Sequence, residues 1–226
     1  MTQTAAASAN PWEPDILRFE EADRVTPPPA GAVLFVGSSS IALWHTLAQD
    51  FPATPVINRG FGGSQLADSV EFAGRIVTPY RPRFIVVYAG DNDLAGGKSP
   101  EQVAETFRRF VQVVRTALPG TPIAFVAIKP SLARWALIAQ IRDANARIER
   151  QCRAGRGLHY VDIATPMLGA DGKPRPELFV EDGLHLSRAG YDLWKGVIAP
   201  YLPPAAGTRG VEGSARSDRR ERECAQ

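Results

Sequence analysis

Short apolar runs recur along the chain, separated by longer segments of mixed character. These runs cover 33–36, 55–58, 84–89, 122–128 and 158–163. Their nearly continuous apolar character is typical of strands buried on both faces, whereas a half-exposed strand would alternate apolar and polar residues. The pattern therefore predicts five buried strands, numbered here in chain order.

Between these runs, apolar residues recur at helical spacing. Helices are predicted over 41–49, 65–76 and 137–152, and from Ser187 towards Tyr201. A further helix begins at Ser99, with Pro100 at its first position and Gln102 three residues after the serine. The apolar residues that follow this start fall on one helical face: Val103, Phe107, Phe110, Val111 and Val114.

Alternating strands and helices predict an α/β fold in which helices cover both faces of a parallel sheet. We expect a three-layer α/β/α sandwich with a five-stranded parallel sheet. The flavodoxin-like strand order 2-1-3-4-5 is the order expected for this fold class. In such sheets ligands bind beyond the carboxyl ends of the strands, so the segments that follow the strands are the candidates for chemistry.

The pattern predicts one domain over 11–202. Residues 1–10 are predicted to be flexible and 203–226 to be a disordered tail with few apolar residues. Within the domain, 11–24 is predicted to form a helix that docks through Ile16, Leu17 and Phe19. The first ten residues lack the features of a signal peptide, so a cytoplasmic location is expected, with export left open if the start of the chain is assigned elsewhere.

Composition narrows the functional classes. The 226 residues carry 26 basic and 24 acidic side chains, a net charge of +2, which gives no electrostatic case for binding nucleic acid. No apolar stretch approaches the length of a membrane span, so no stable membrane anchor is expected. Cys152 and Cys224 are far apart, which argues against a disulfide framework or a cysteine-rich zinc site.

Polar and glycine-rich segments follow each predicted strand. They are Gly37-Ser38-Ser39-Ser40, Arg59-Gly60-Phe61-Gly62-Gly63-Ser64, Gly90-Asp91-Asn92-Asp93, Lys129-Pro130-Ser131 and Glu181-Asp182-Gly183-Leu184-His185. A serine nucleophile needs a base, usually histidine, and a carboxylate that orients the histidine. The three-residue spacing of Asp182 and His185 can place both side chains on one side of a turn. Together these segments carry the parts of a serine hydrolase.

Four of these segments resemble the sequence blocks of the GDSL, or SGNH-hydrolase, family of esterases and lipases. The matching segments, in the family's order, are Phe35-Val36-Gly37-Ser38-Ser39-Ser40, Asn58-Arg59-Gly60-Phe61-Gly62-Gly63, Gly90-Asp91-Asn92-Asp93 and Asp182-Gly183-Leu184-His185. The resemblance covers about residues 30–200 and implies the SGNH-hydrolase fold. Two departures stand in the first block, Ser38 where the family often has Asp, and Ser40-Ile41 in place of the motif's leucine.

Family resemblance also implies roles for individual residues. Ser39 corresponds to the nucleophile, and Asp182 and His185 correspond to the rest of a catalytic triad. The oxyanion hole would consist of the Ser39 and Gly63 N–H groups and the Asn92 side chain, with Gly62 as an alternative to Gly63. Asp91 and Asp93 are interpreted as turn and hydrogen-bonding residues, and neither a metal nor an organic cofactor is expected.

The function predicted on this basis is hydrolysis of small carboxylic esters, with short acyl chains. Two alternatives remain: a non-catalytic ligand-binding module on the same fold, and a carbohydrate O-acetyltransferase or acetylesterase. Lys129 and Arg134, after strand 4, could meet an anionic substrate or simply flank a helix. His45 and His159 are expected to be structural or peripheral. The physiological substrate and the oligomeric state are left open.

Overall fold

A five-stranded sheet forms the centre of the protein in the computed structural model, which describes residues 10–204. The strands are β1 (Val33–Gly37), β2 (Val56–Gly60), β3 (Phe84–Tyr88), β4 (Ile123–Val126) and β5 (Leu158–Val161). All neighbouring strands are parallel, and their order is β2-β1-β3-β4-β5. The predicted parallel α/β architecture and strand order are confirmed.

Helices cover both faces of this sheet. On one face lie α1 (Glu13–Val25), α4 (Leu66–Glu71), α5 (Ala73–Ile76), α6 (Asp91–Ala95), α7 (Pro100–Ala117) and α8 (Ile138–Ala154), and on the other lie α2 (Ser39–Ala42), α3 (Leu47–Asp50) and α9 (Arg188–Ile198). Within β1, Leu34 and Val36 face the first layer and Val33 and Phe35 the second. No helix among the described residues has the length and apolar character needed to span a membrane.

Two predicted helices are each divided in the structure. The helix expected over 41–49 is replaced by α2 and α3, and the one expected over 65–76 by α4 and α5. A buried aromatic side chain stands at each break, Trp44 in the first and Phe72 in the second. Packing of these rings outweighs the small preference of the flanking residues for one continuous helix. The short helix α6, immediately after β3, has no counterpart in the sequence prediction.

Helix α1 covers the edge of the first layer. Ile16 is fully buried and Phe19 packs against the core, as predicted, but Leu17 is 49% exposed and makes the predicted docking through that side chain wrong. The helix is held by ion pairs from Arg59 to Asp23 and from Arg75 to Glu13. The domain limits of 11–202 remain a prediction, and most of the predicted flexible segments at the two ends lie outside the described residues.

An aromatic cluster joins α9 to the segment after β1. The ring centroids of Trp44 and Tyr191 are 5.0 Å apart, and Trp194 packs against both Trp44 and Tyr88. The Tyr191 hydroxyl donates a hydrogen bond to the Ser40 carbonyl at 3.2 Å. The last helix therefore fixes the chain immediately beyond Ser39.

Asp50 extends this connection with a buried carboxylate. It accepts hydrogen bonds from the Trp44 indole at 2.7 Å, from the Thr46 hydroxyl at 2.7 Å and from the Arg188 guanidinium at 2.8 Å. Burial alone would raise the pKa of Asp50, but these bonds, that from Arg188 foremost, lower the pKa from its ordinary value of 3.8 to about 2.

We expect Asp50→Asn to lower the free energy of unfolding by about 2 kcal/mol at neutral pH, because the ionised form is preferred in the folded state. A depressed pKa contributes stability above the unfolded value of 3.8, and that contribution is lost as the pH falls through about 2. Urea unfolding of Asp50→Asn and of the unmodified protein should therefore give free energies of unfolding whose difference shrinks as the pH falls from 3.8 to about 2.

A matched control is Asp192→Asn. Asp192 also pairs with Arg188, but its side chain is 58% exposed. Its loss should change the free energy of unfolding much less than loss of the Asp50 charge does, because solvent screens an exposed ion pair. A pH-independent difference between Asp50→Asn and the unmodified protein would contradict the assignment of this stability to the Asp50 charge.

Candidate active site

The nucleophile candidate lies at the sharp turn that leaves β1. Gly37 ends the strand with φ +141°, and a Cβ atom there would stand 1.8 Å from the Tyr88 carbonyl oxygen, so only glycine fits. The Ser38 N–H then donates to that same carbonyl at 3.0 Å, and α2 begins at Ser39. The turn thus places Ser39 at the carboxyl edge of the sheet.

The structure distinguishes the three consecutive serines. Ser38 and Ser40 are buried, at 0% and 1% exposure, whereas Ser39 is partly exposed. The Ser39 Oγ lies 3.2 Å from Nε2 of His185, 146 residues further along the chain. A hydroxyl at this distance from an imidazole nitrogen can transfer its proton to it.

Asp182 and His185 share one tight turn. Oδ1 of Asp182 accepts hydrogen bonds from the N–H groups of Leu184, at 2.8 Å, and His185, at 2.9 Å. Oδ2 lies 2.6 Å from Nδ1 of His185. The backbone and side-chain bonds from His185, followed by the Leu184 bond, lower the pKa of Asp182 to about 2. An ionised Asp182 favours the His185 tautomer with a proton on Nδ1, which leaves Nε2 free to accept one from Ser39.

Further hydrogen bonds hold this turn in place. The Val180 N–H donates to the His185 carbonyl at 2.9 Å, closing the turn. From the loop after β4, the Ala133 N–H donates to the Gly183 carbonyl at 3.1 Å. Ser187 caps α9, and its hydroxyl also donates to the Glu177 carbonyl at 2.6 Å. His185 is therefore held between two anchored segments.

Asn92 connects the loops after β2 and β3. Its side-chain Nδ2 donates to the Ser64 carbonyl at 2.9 Å, and the Ser64 hydroxyl donates to the Phe61 carbonyl at 2.9 Å. Gly63, next to Ser64, is exposed with φ +80°, a conformation that favours glycine. An amide nitrogen carries two hydrogens, so one on Asn92 stays available beyond the bond to Ser64.

The acidic neighbours of Asn92 have structural partners. Asp91 pairs with Lys129 at 2.8 Å, and Asp93 accepts a bond from the Leu66 N–H, at the start of α4, at 2.9 Å. Asp93 is buried, which raises its pKa, and it also pairs with Lys98 at 3.1 Å. Over residues 10–204, no group of three or more histidine, cysteine, aspartate or glutamate side chains is placed to bind a metal ion.

The two basic residues after β4 lie near Asn92, whereas the two other histidines do not belong to this group of contacts. Lys129 is buried and Arg134 is partly buried, with its guanidinium 2.8 Å from Oδ1 of Asn92, so neither is simply a charge flanking a helix. His45 is exposed, and the His159 ring packs between Phe84 and Tyr201. Neither histidine belongs to the Ser39–His185–Asp182 arrangement or to the contacts of Asn92.

Trp12 lies beside the site but is not among the residues predicted from the sequence. Its ring packs edge-on against Phe61 with centroids 5.9 Å apart. A Cβ atom on Gly63 would lie 3.0 Å from the Trp12 ring, so Trp12 stands directly beside this glycine. A single aromatic residue at the start of α1 carries no periodic signal, and only the docking of α1 reveals where it lies.

The sequence of this chain is similar to those of known proteins. Residues 31–193 match the sequence model of the GDSL-like lipase/acylhydrolase family. The chain is 26% identical over 168 residues to the bovine (Bos taurus) platelet-activating factor acetylhydrolase IB subunit alpha1, covering 70% of this chain and 69% of that protein.

Solved structures share the fold. A GDSL-like lipase from Bacteroides thetaiotaomicron superposes with a TM-score of 0.70 at 21% identity, covering 83% of this chain and 96% of that one. A lipase/acylhydrolase from Enterococcus faecalis superposes with a TM-score of 0.63 at 18% identity, covering 77% and 99%. The family model spans most of the chain, and the matched residues include Ser39, Asp182 and His185. The chain therefore belongs to the GDSL-like lipase/acylhydrolase family.

Proposed function

We propose that the protein is a serine esterase that hydrolyses small carboxylic esters, with Ser39 as nucleophile, His185 as base and Asp182 as its orienting carboxylate. The observation that carries the proposal is the continuous contact from Ser39 Oγ to His185 Nε2, at 3.2 Å, and from His185 Nδ1 to Asp182, at 2.6 Å. Membership of an acylhydrolase family supports the reaction class.

In the first half-reaction, His185 Nε2 takes the hydroxyl proton as Ser39 Oγ forms a bond to the ester carbonyl carbon. The carbonyl π electrons move to its oxygen, which becomes an oxyanion. The Ser39 and Gly63 N–H groups and the free N–H of Asn92 would donate to it. His185 then gives its proton to the leaving alcohol as the carbon–oxygen bond breaks and an acyl-serine remains.

In the second half-reaction, water replaces the alcohol. His185 takes a proton from the water, the hydroxyl oxygen attacks the acyl carbon, and Ser39 leaves with the proton returned by His185. The carboxylic acid is released and the enzyme is restored. The charge that develops on His185 in each half-reaction faces the ionised Asp182.

A preference for short acyl chains rests on two observations. The loops predicted between the strands and helices carry no obvious insertion that would act as a lid. The bovine relative is, by its name, an acetylhydrolase. We infer that acetyl and similarly short esters are better substrates than long-chain esters.

The proposal is tested with a fluorophosphonate probe and a series of p-nitrophenyl esters. We expect rapid labelling, with the adduct localised to Ser39 by fragmentation of the labelled peptide, because only an activated serine reacts quickly. The kcat/KM should fall from the acetyl to the octanoyl ester. A protein that neither labels nor hydrolyses any ester would instead be a binding module on this fold.

The same assay separates hydrolysis from acyl transfer. With a sugar acceptor present, an esterase forms free acid at the rate at which the nitrophenol is released. Preferential formation of an acetylated sugar would make transfer the reaction and contradict the assignment of water as the acceptor.

A further inference from the structure

A buried ionic cluster lies directly behind Asn92. The Asp91 carboxylate, 4% exposed, lies 2.8 Å from the Lys129 ammonium, which is 1% exposed. Arg134 lies 3.1 Å from the same carboxylate oxygen. Lys129 also donates to the Tyr88 hydroxyl at 2.9 Å. This cluster of Asp91, Lys129, Arg134 and Tyr88 joins the ends of β3 and β4, on the edge of the sheet that carries Ser39.

The cluster holds two cations and one carboxylate. Burial raises the pKa of the Tyr88 hydroxyl well above its usual range, so Tyr88 stays neutral. Burial alone would raise the pKa of Asp91 too, but Lys129 and Arg134 hold it below its usual value. The cluster therefore carries a net positive charge beside the amide that the proposed oxyanion would face.

Arg134 connects the cluster to the Asn92 side chain. One nitrogen of its guanidinium donates to the Asn92 side-chain Oδ1 at 2.8 Å, while another faces Asp91. A donor on Oδ1 fixes which end of the amide is oxygen and which is nitrogen. Nδ2 is thereby directed to Ser64, and its second hydrogen is left for a ligand.

A cation on the amide oxygen also changes the amide itself. It draws electron density away from Nδ2, and hydrogen bonds joined in series in this way strengthen one another. The planar guanidinium of arginine contacts Asp91 and Asn92 at the same time. A lysine ammonium has a different reach and geometry and does not reproduce both contacts.

We infer that Arg134 is a positioning residue for ester hydrolysis. It is held by Asp91, the carboxylate that also pairs with Lys129, and it orients and polarises the Asn92 amide towards the oxyanion. The inference rests on the proposed function and adds to it a cationic support for one oxyanion donor. It differs from direct recognition of an anionic substrate by Arg134, which would change substrate binding rather than the chemical step.

The test compares Arg134→Met, Arg134→Lys and Arg134→Ala with the unmodified protein on p-nitrophenyl acetate. We expect Arg134→Met to lower kcat roughly 10- to 100-fold, the factor carried by a hydrogen bond from a charged donor, with little change in KM. Arg134→Lys should recover part of kcat. Added guanidinium ion should partly restore Arg134→Ala, which a general loss of structure would not allow. The matched control is Arg150→Met, at an exposed arginine of α8.

A double-mutant cycle tests the route through Asn92. Asn92→Ala alone should lower kcat roughly 10²- to 10³-fold. In that background Arg134→Met should change kcat by no more than about twofold, because the residue through which it acts is gone. Thermal unfolding of each variant shows whether it folds.

Each other outcome decides against the inference. Equal losses from Arg134→Met in both backgrounds, or a rise in KM at unchanged kcat, would overturn the positioning role. An unaffected Arg134→Met beside an impaired Asn92→Ala would overturn it while leaving the proposed function intact. An unmodified protein that neither hydrolyses the ester nor takes up a fluorophosphonate would overturn both.

Discussion

Replacing Ser39 by alanine is expected to lower kcat for p-nitrophenyl acetate about 10⁶-fold, the scale on which loss of the nucleophile acts in triad hydrolases. The change removes one oxygen atom from a partly exposed position, so the fold should be retained. Steady-state hydrolysis and thermal unfolding, measured on the same preparation, separate loss of chemistry from loss of structure.

Ser38→Ala is the matched control. Ser38 is the adjacent serine, but it is fully buried at the end of β1 and contacts the rest of the site through its backbone. We expect its activity to stay close to that of the unmodified protein. Retained turnover in Ser39→Ala, or loss confined to Ser38→Ala, would move the nucleophile to a different residue.

Asp182→Asn is expected to lower kcat about 10⁴-fold, as when the carboxylate of a triad is replaced by an amide. The amide keeps the size of the side chain but can place a donor opposite His185 Nδ1, which favours the wrong imidazole tautomer. The Asp182 pKa of about 2 means that the carboxylate stays ionised on acidification to about pH 4. A kcat profile should therefore show no loss of activity from protonation of Asp182 over that range.

Asp162→Asn provides the control for Asp182→Asn. Asp162 is also exposed and also accepts a hydrogen bond from a backbone N–H three residues ahead, that of Thr165 at 3.0 Å. It follows β5, and its carboxylate bonds the Thr165 hydroxyl where Asp182 bonds the His185 ring. Its replacement tests whether breaking such a turn is enough to lower activity. A similar loss in both variants would contradict the role of Asp182 in orienting His185.

Local signals in the sequence were sufficient to predict the sheet, and resemblance to a family supplied the candidate site residues. Buried parallel strands must be apolar on both faces, so each strand is visible as a run, and strands of the same direction bring their carboxyl ends to one edge. That geometry is why four segments spread from Gly37 to His185 could be assigned to one place. The choice of Ser39 among three serines followed from resemblance to the family's first sequence block, in which the nucleophile stands second after the glycine.

Tertiary packing determined the helix breaks and the position of Trp12, which the periodicity of apolar residues does not predict. At the divided helices, Trp44 packs against Tyr191 and Trp194, far along the chain, and Phe72 packs against Phe61. Trp12 reaches Gly63 only because α1 docks against α5 and β2, to which it is joined by ion pairs. None of these contacts has a counterpart in the local pattern.

The sequence by itself determined a parallel α/β sandwich with a serine, a histidine, an aspartate and an asparagine at one edge of its sheet. Only the tertiary structure decided how charge is arranged behind them. Arg134 is 42 residues from Asn92, and Lys129 is 38 from Asp91. A buried charge is stable only beside its partner, and which residues become partners is fixed when β3 and β4 pair, not by the spacing of the residues along the chain.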